Sequence, residues 1–170
     1  MVGFPTETFY GLGVDALDAG ALDRLRAVKG RGAEKAISVL VTESMVDAVV
    51  AEVSPRARVL MAAHWPGPLT LALPARSGLP EGLVMDGCVA VRWSPNAVAQ
   101  RLLEALGRPI TATSANPAGA PPPTTAAGVR GYFPECLVVD GGDTPGGQPS
   151  TLVRVRGDVV EILRAGAVTI

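Results

Sequence analysis

An α/β fold built on a mixed, open sheet with flanking helices is what this sequence predicts, and three observations predict it. Short apolar runs of strand length alternate with segments of helical periodicity through the first two thirds of the chain. Strand-like runs then cluster near the end, the last two separated by a three-residue turn signal. The 170 residues suit one domain with one sizeable core, and neither a linker nor an internal repeat divides them.

Taken in order, "DAGALDRLRAVKG" at 18–30 predicts a helix. Leu22, Leu25 and Val28 recur at helical spacing, Asp18 is suited to the N-cap and Gly30 to the stop. "ISVLV" at 37–41 reads as a strand, and "ESMVDAVVAEV" as a helix through Met45, Val46, Val49 and Val50. Ser54-Pro55 opens a further short helix, proline being favoured at the first helical position. "LTLAL" at 69–73, "CVAVR" at 88–92 and "PITAT" at 109–113 are strands. Between the last two, "SPNAVAQRLLEALG" places Val98, Leu102, Leu103 and Leu106 on one helical side before Gly107. "CLVVD" at 136–140, "TLVRV" at 151–155 and "VVEIL" at 159–163 complete the strands, with Arg156-Gly157-Asp158 as a hairpin turn.

Composition excludes several function classes. The formal net charge is −1, so no global field favours nucleic acid or an anionic membrane, and a polyanion site must be local. Cys88 and Cys136 lie far apart without CxxC spacing, and His64 is the single histidine. These counts leave no basis for a structural zinc site or a disulfide scaffold. No apolar run is long enough for a membrane span and no secretory leader opens the chain, so the expected location is the cytoplasm.

Several loops carry more chemistry than a turn requires. "PTETFYGLG" at 5–13 combines two threonines, a carboxylate and a tyrosine, and reads as the lining of a pocket. "KGRGAEK" at 29–35 presents Lys29, Arg31 and Lys35, three cations that can surround a triphosphate or form a solvated loop. "TATSANPAG" at 111–119 delivers Thr113, Ser114 and Asn116 either to a ligand or to turns that stop the strand. "DGGDTPGGQPST" at 140–151 is glycine-rich and ends in Ser150, yet no lysine follows the glycines as a Walker A loop demands. Trp65 and His64 read as structural. "GLGVDA" at 11–16 fits a dinucleotide pattern, but only four residues precede Pro5 and the helix begins later, so the context is wrong.

In this order, "PTETFYGLG", "KGRGAEK", "WPGPLTLALPA", "VAVRWSPN", "TATSANPAG", "GGQPSTLV" and "ILRAGA" resemble the YrdC/Sua5 family of L-threonylcarbamoyladenylate synthases, from about residue 2 to the end. The resemblance implies a twisted sheet around a positively charged cavity. The implied activity joins L-threonine, bicarbonate and ATP, with Mg²⁺, into threonylcarbamoyl-AMP and pyrophosphate, the first stage of N6-threonylcarbamoyl modification of adenosine 37 in tRNA. A separate threonylcarbamoyl-transferase complex acts downstream, and weak binding of tRNA or double-stranded RNA is a further implied contact. Carried over by position, Thr8, Tyr10, Arg92, the main chain at Ala112 and Ser150 serve threonine. Lys29 and Arg31 match a KxR signature and Ser114 with Asn116 an SxN signature, both holding nucleotide phosphates. Lys35, Cys88 and Arg164 complete the nucleotide side, and no resident metal site is implied.

Two departures qualify the pattern. Leu40 stands where the family has a histidine touching threonine, and Gly32 where it has a proline. The family also implies a helix and part of a first strand ahead of "PTET", so the domain over 1–170 is expected to lack them. Two alternatives stay open: a carbamoyl-adenylate-forming domain of a carbamoyltransferase, and a non-catalytic RNA-binding module.

Overall fold

The computed structural model describes residues 1–30 and 37–170. Its first element is a hairpin: β1 (Val2–Pro5) and β2 (Tyr10–Gly13) pair antiparallel, with Val2 opposite Gly13 and Pro5 opposite Tyr10. The "PTET" run is therefore the connection of this hairpin, which explains why so polar a stretch stands beside strand residues. The "GLG" glycines lie within β2 and do not lead into a helix, so the dinucleotide reading is excluded by geometry.

Helix α1 (Ala19–Lys29) forms as its caps predict, the Asp18 side chain accepting from the Ala21 N–H at 3.0 Å and Gly30 closing it at φ 58°. Its buried face is Ala21, Leu22, Leu25 and Lys29; Val28, expected inside, is exposed. Strand β3 is shorter than predicted, Val39–Leu40. The helix expected after it reduces to a 3₁₀ turn at Glu43–Met45 and the single turn α2 (Val46–Val49). Val50 there turns extended and bridges Ala75, while the Ala51 N–H donates to Pro74 O, so the β-branched pair is drawn to the sheet. α3 (Pro55–His64) is capped by Ser54.

β4 (Leu69–Pro74), β5 (Val84–Met85), β6 (Cys88–Arg92) and α4 (Ala97–Leu106) follow, Asn96 capping α4 through the N–H groups of Val98 and Ala99. In α4 the inward residues are Ala99 and Leu103, with Val98 and Leu102 packed against them, whereas Leu106 faces out. The predicted strand at 109–113 breaks at Ala112 into β7 (Ile110–Thr111) and β8 (Thr113–Ser114), which belong to different sheets. α5 (Ala126–Tyr132) has no counterpart in the sequence reading. Its two glycines lower helix propensity, yet Gly128 is needed because a Cβ there would lie 2.9 Å from Pro123 Cβ. β9 (Leu137–Val138), β10 (Thr151–Arg156) and β11 (Val159–Arg164) end the chain's regular structure.

The strands form a four-stranded sheet in the order β8-β2-β1-β9 and a larger sheet ordered β11-β10-β4-β6-β3-β7, with β5 added beside β6. Parallel pairs (β10 with β4, β3 with β6, β1 with β9) mix with antiparallel ones, as an α/β class with a mixed sheet requires. The central strands β4 and β6 of the larger sheet are buried on both faces but by different chemistry. Leu69, Leu71 and Leu73 of β4, Val89 and Val91 of β6, Val39, Val153 and Val155 point into the main core. The alternate positions are Thr70, Ala72, Cys88, Ala90 and Arg92, small or polar yet buried. That second face is where a polar ligand can meet the sheet without opening the core.

Candidate functional site

The second face carries one continuous row. Strand register places Leu152 opposite both Arg164 of β11 and Thr70 of β4, and Leu40 of β3 opposite both Arg92 of β6 and Ile110 of β7. One step from the Leu71–Val91 pair, Thr70 and Arg92 then face each other, so six strands contribute to a single line. Ser150, immediately before β10, joins it: its hydroxyl lies 2.8 Å from Thr70 Oγ1. The Arg164 guanidinium donates from Nε and Nη2 to Ser150 O, at 3.2 and 2.7 Å, and from Nη2 to Ser150 Oγ at 3.0 Å. Arg164, expected at the nucleotide, and Ser150, expected at the amino acid, are thus one unit.

Arg92 is 7% exposed, and burial pushes its guanidinium below the ordinary value, partly countered by Glu7. It remains a cation because arginine holds its proton in proteins. Glu7, from the turn between β1 and β2, meets it with Oε1 2.9 Å from Arg92 Nη1, and Ser94 Oγ donates to Glu7 Oε2. Neither Glu7 nor Ser94 was singled out from the sequence. The glutamate counts in the sequence only as the carboxylate of the opening motif, without a role, and only the fold brings residue 7 to residue 92.

The opening turn itself is closed by threonines. Thr6 N–H and hydroxyl both donate to Phe9 O, at 3.1 and 2.7 Å, and the Thr6 and Thr8 hydroxyls are 3.2 Å apart. Thr8 is nearly buried, and its carbonyl accepts from the Gly146 N–H at 2.8 Å, which docks the glycine-rich loop. Tyr10 is expected to line the threonine end of the cavity. It is fully buried, its hydroxyl donating to Gly142 O at 2.7 Å and accepting from Gly141 N–H at 3.3 Å, so it fixes the loop from beneath. Burial pushes that hydroxyl's pKa up.

On the smaller sheet, Gly11 of β2 faces Ser114 of β8. Lys29, 4% exposed at the end of α1, donates from Nζ to the Ser114 carbonyl, so the KxR lysine and the SxN serine do come together. Arg31 and Lys35 lie outside the described residues. Asn116, expected beside the phosphates, has Nδ2 donating to Pro117 O at 2.9 Å and Ala120 O at 2.7 Å, shaping the turn. Its Oδ1, buried and without a partner, is an acceptor and cannot donate to phosphate. The main chain at Ala112 is engaged with Ser38 at both groups, N–H to Ser38 O at 2.7 Å and O from Ser38 Oγ at 2.6 Å. Cys88 shares the face of Arg92 but stands four residues away along β6, about 13 Å at strand rise. A separate groove of about 560 Å³ beside α4, lined by Thr42, Glu43, Met45, Trp93, Gln100 and Glu104, holds none of the predicted site residues.

The fold and the row define a class: an α/β domain whose polar sheet face carries a buried arginine, Arg92, among hydroxyls and small residues. The chain belongs to the Sua5/YciO/YrdC family, whose model, described as telomere recombination, matches residues 1–166. It is 38% identical over 172 residues to a threonylcarbamoyl-AMP synthase of Pyrococcus abyssi, covering 98% of this chain and 50% of that protein. It is also 38% identical over 156 residues to a threonylcarbamoyl-AMP synthase of Thiobacillus denitrificans, covering 90% of this chain and 83% of the relative. Among solved structures, P. abyssi Sua5 complexed with L-threonine superposes with a TM-score of 0.88 at 38% identity, over 97% of this chain and 50% of the other. This chain therefore spans about half the length of the Pyrococcus relative and most of the Thiobacillus one.

Proposed function

We propose that this domain condenses L-threonine, bicarbonate and ATP into threonylcarbamoyl-AMP and pyrophosphate, the first step of threonylcarbamoyl modification of tRNA. The observation that carries the reading is Arg92: a buried cation on a polar sheet face, flanked by Thr70 and close in register to the Ser150–Arg164 pair. Glu7 pairs with one nitrogen of that guanidinium, and its remaining donors can bind a substrate carboxylate at two points.

The reaction needs little from the protein beyond position and charge. The threonine amine adds to carbon dioxide, or to bicarbonate with loss of water, forming a carbamate. A carbamate oxygen then bonds to the α-phosphorus as the bond to the bridging oxygen breaks, and that oxygen departs with pyrophosphate. In our reading Arg92 and Ser150 orient the threonine carboxylate, Thr8 reads its hydroxyl, and Lys29 with Arg31, Lys35 and Ser114 supports the phosphates. Tyr10 acts through the glycine-rich loop. Mg²⁺ would arrive with ATP. Among the described residues no cluster of three or more His, Cys, Asp or Glu side chains could hold a metal. Transfer to tRNA by a separate complex, and weak RNA contact, belong to the same reading. Among the described residues no helix is long and apolar enough to cross a membrane.

The test is mass spectrometry of the purified protein incubated with ATP, Mg²⁺, bicarbonate and L-threonine, with serine and no-amino-acid controls and pyrophosphate followed in parallel. A threonine-dependent threonylcarbamoyl-AMP peak is the expected result. Pyrophosphate release with a carbamoyl adduct from carbamoyl phosphate, and none from threonine, would replace the proposal by the carbamoyl-adenylate alternative.

A further inference from the structure

We infer that Glu7 is a positioning residue for Arg92 and thereby sets the affinity for the amino-acid carboxylate; this rests on the role proposed for Arg92 above. On the sheet, Arg92 stands between Thr70 and Leu40, and Leu40 offers it no hydrogen bond. Leu40 packs with Phe4, Ile110 and Leu103 in the smaller apolar cluster. Among the described residues the one ion pair of Arg92 is with Glu7, Oε1 to Nη1 at 2.9 Å, with side chains 11% and 8% exposed.

Glu7 is itself aimed from its other oxygen. Ser94 Oγ donates to Oε2 and accepts from the Asn96 N–H at 3.2 Å, while Asn96 caps α4 and Gln100 Nε2 donates to Ser94 O at 3.2 Å. The carboxylate is therefore hydrogen-bonded to the start of α4 through Oε2 and ion-paired with one guanidinium nitrogen through Oε1, a charge contact without hydrogen-bond geometry. The guanidinium is planar in itself, so pairing at one nitrogen orients that plane and leaves the other N–H donors for two-point binding of a carboxylate. Leu40 lies next to Arg92 in register and is apolar, so the alignment of Arg92 falls to the turn that carries Glu7.

The experiment compares wild type, Glu7→Gln and Ser94→Ala by threonine and ATP KM, thermal unfolding, and nitrogen-15 NMR of the Arg92 side chain, assigned with Arg92→Lys. The expected result is a resolved, slowly rotating Arg92 guanidinium in wild type that collapses to an averaged signal in Glu7→Gln. Threonine KM should rise about 10- to 100-fold with ATP KM unchanged. Ser94→Ala should move both readouts the same way by less, and it decides the matter if Glu7→Gln does not fold. Unchanged or lowered threonine KM would overturn the inference, since Glu7 would then be idle or a competitor of substrate. Threonine and ATP KM rising together with a lowered Tm would also overturn it. If wild type forms no threonylcarbamoyl-AMP, the proposed function fails, and the NMR signal alone decides whether Glu7 positions Arg92.

Discussion

Replacing Lys29 by methionine separates a structural tie from a substrate contact. The lysine is nearly buried at the end of α1, its Nζ donating to Ser114 O, and methionine keeps the unbranched stem while removing the charge. The Ser114 carbonyl retains the Asn116 N–H at 2.9 Å, so it is not left wholly unsatisfied. The folding cost should accordingly stay near the low end for a charged hydrogen bond, about 1–2 kcal/mol, or roughly 2–8 °C in Tm for a domain of this size. The cost to ATP should be larger. A cation about 4 Å from a phosphate at an effective dielectric near 20 contributes up to about 4 kcal/mol, so a loss of about 2–4 kcal/mol raises the Kd roughly 30- to 1,000-fold. Isothermal titration with ATP-Mg²⁺ beside a thermal melt reads both numbers. An ATP affinity unchanged in a variant that melts lower would refute the reasoning and leave Lys29 as a fastening between α1 and β8.

Three further outcomes follow from the same contacts. Tyr10→Phe should lower stability by about 1 kcal/mol, as the Gly142 carbonyl and Gly141 N–H lose their shared partner. It should also remove an alkaline dependence: with the folded hydroxyl raised above the ordinary 10.0, wild type keeps that contribution below pH 10 and loses it as the pH climbs through the folded value. A denaturant titration from pH 8 to 11 that gives parallel curves for both proteins would exclude this. Arg164→Lys should lower kcat/KM about tenfold, because an ammonium cannot reproduce the forked bonds to Ser150 O and Oγ; equal turnover would move the constraint on Ser150 elsewhere. Asn116→Asp should be destabilised by about 1–3 kcal/mol, a carboxylate then facing the carbonyls of Pro117 and Ala120, and a Tm equal to wild type would show that the amide has no such role.

Strands β4, β6, β10 and β11 were legible to within a residue because each is a run of alternating or continuous apolar residues bounded by turn signals. The α1 and α4 termini were legible from their capping residues. The segment 43–53 was not, since a stretch rich in Val satisfies helical spacing and strand preference alike, and the neighbouring edge near Pro74 decided between them. Within the site, hydroxyls and cations announced themselves by type, but their partners did not. Asn116 could serve a ligand or a turn on sequence grounds, and its two contacts to backbone carbonyls place its donors in the turn. The pairing of Glu7 with Ser94 was invisible for a different reason: 87 residues separate them, and no local pattern marks a hydrogen bond formed across that distance.

The adjacency of β10 to β4 has a consequence for biosynthesis. About 80 residues separate the two strands, as they separate Thr70 from Ser150. At about 5–20 residues per second, a ribosome makes "LTLAL" roughly 4–16 s before the strand that will cover its flank. During that interval β4 is a bare apolar edge, the kind of surface that recruits other nascent chains or a holdase. A chain released or stalled before β10 is made would therefore leave β4 without its parallel neighbour and Thr70 without the Ser150 hydroxyl, so the flank of β4 marks the unfinished protein.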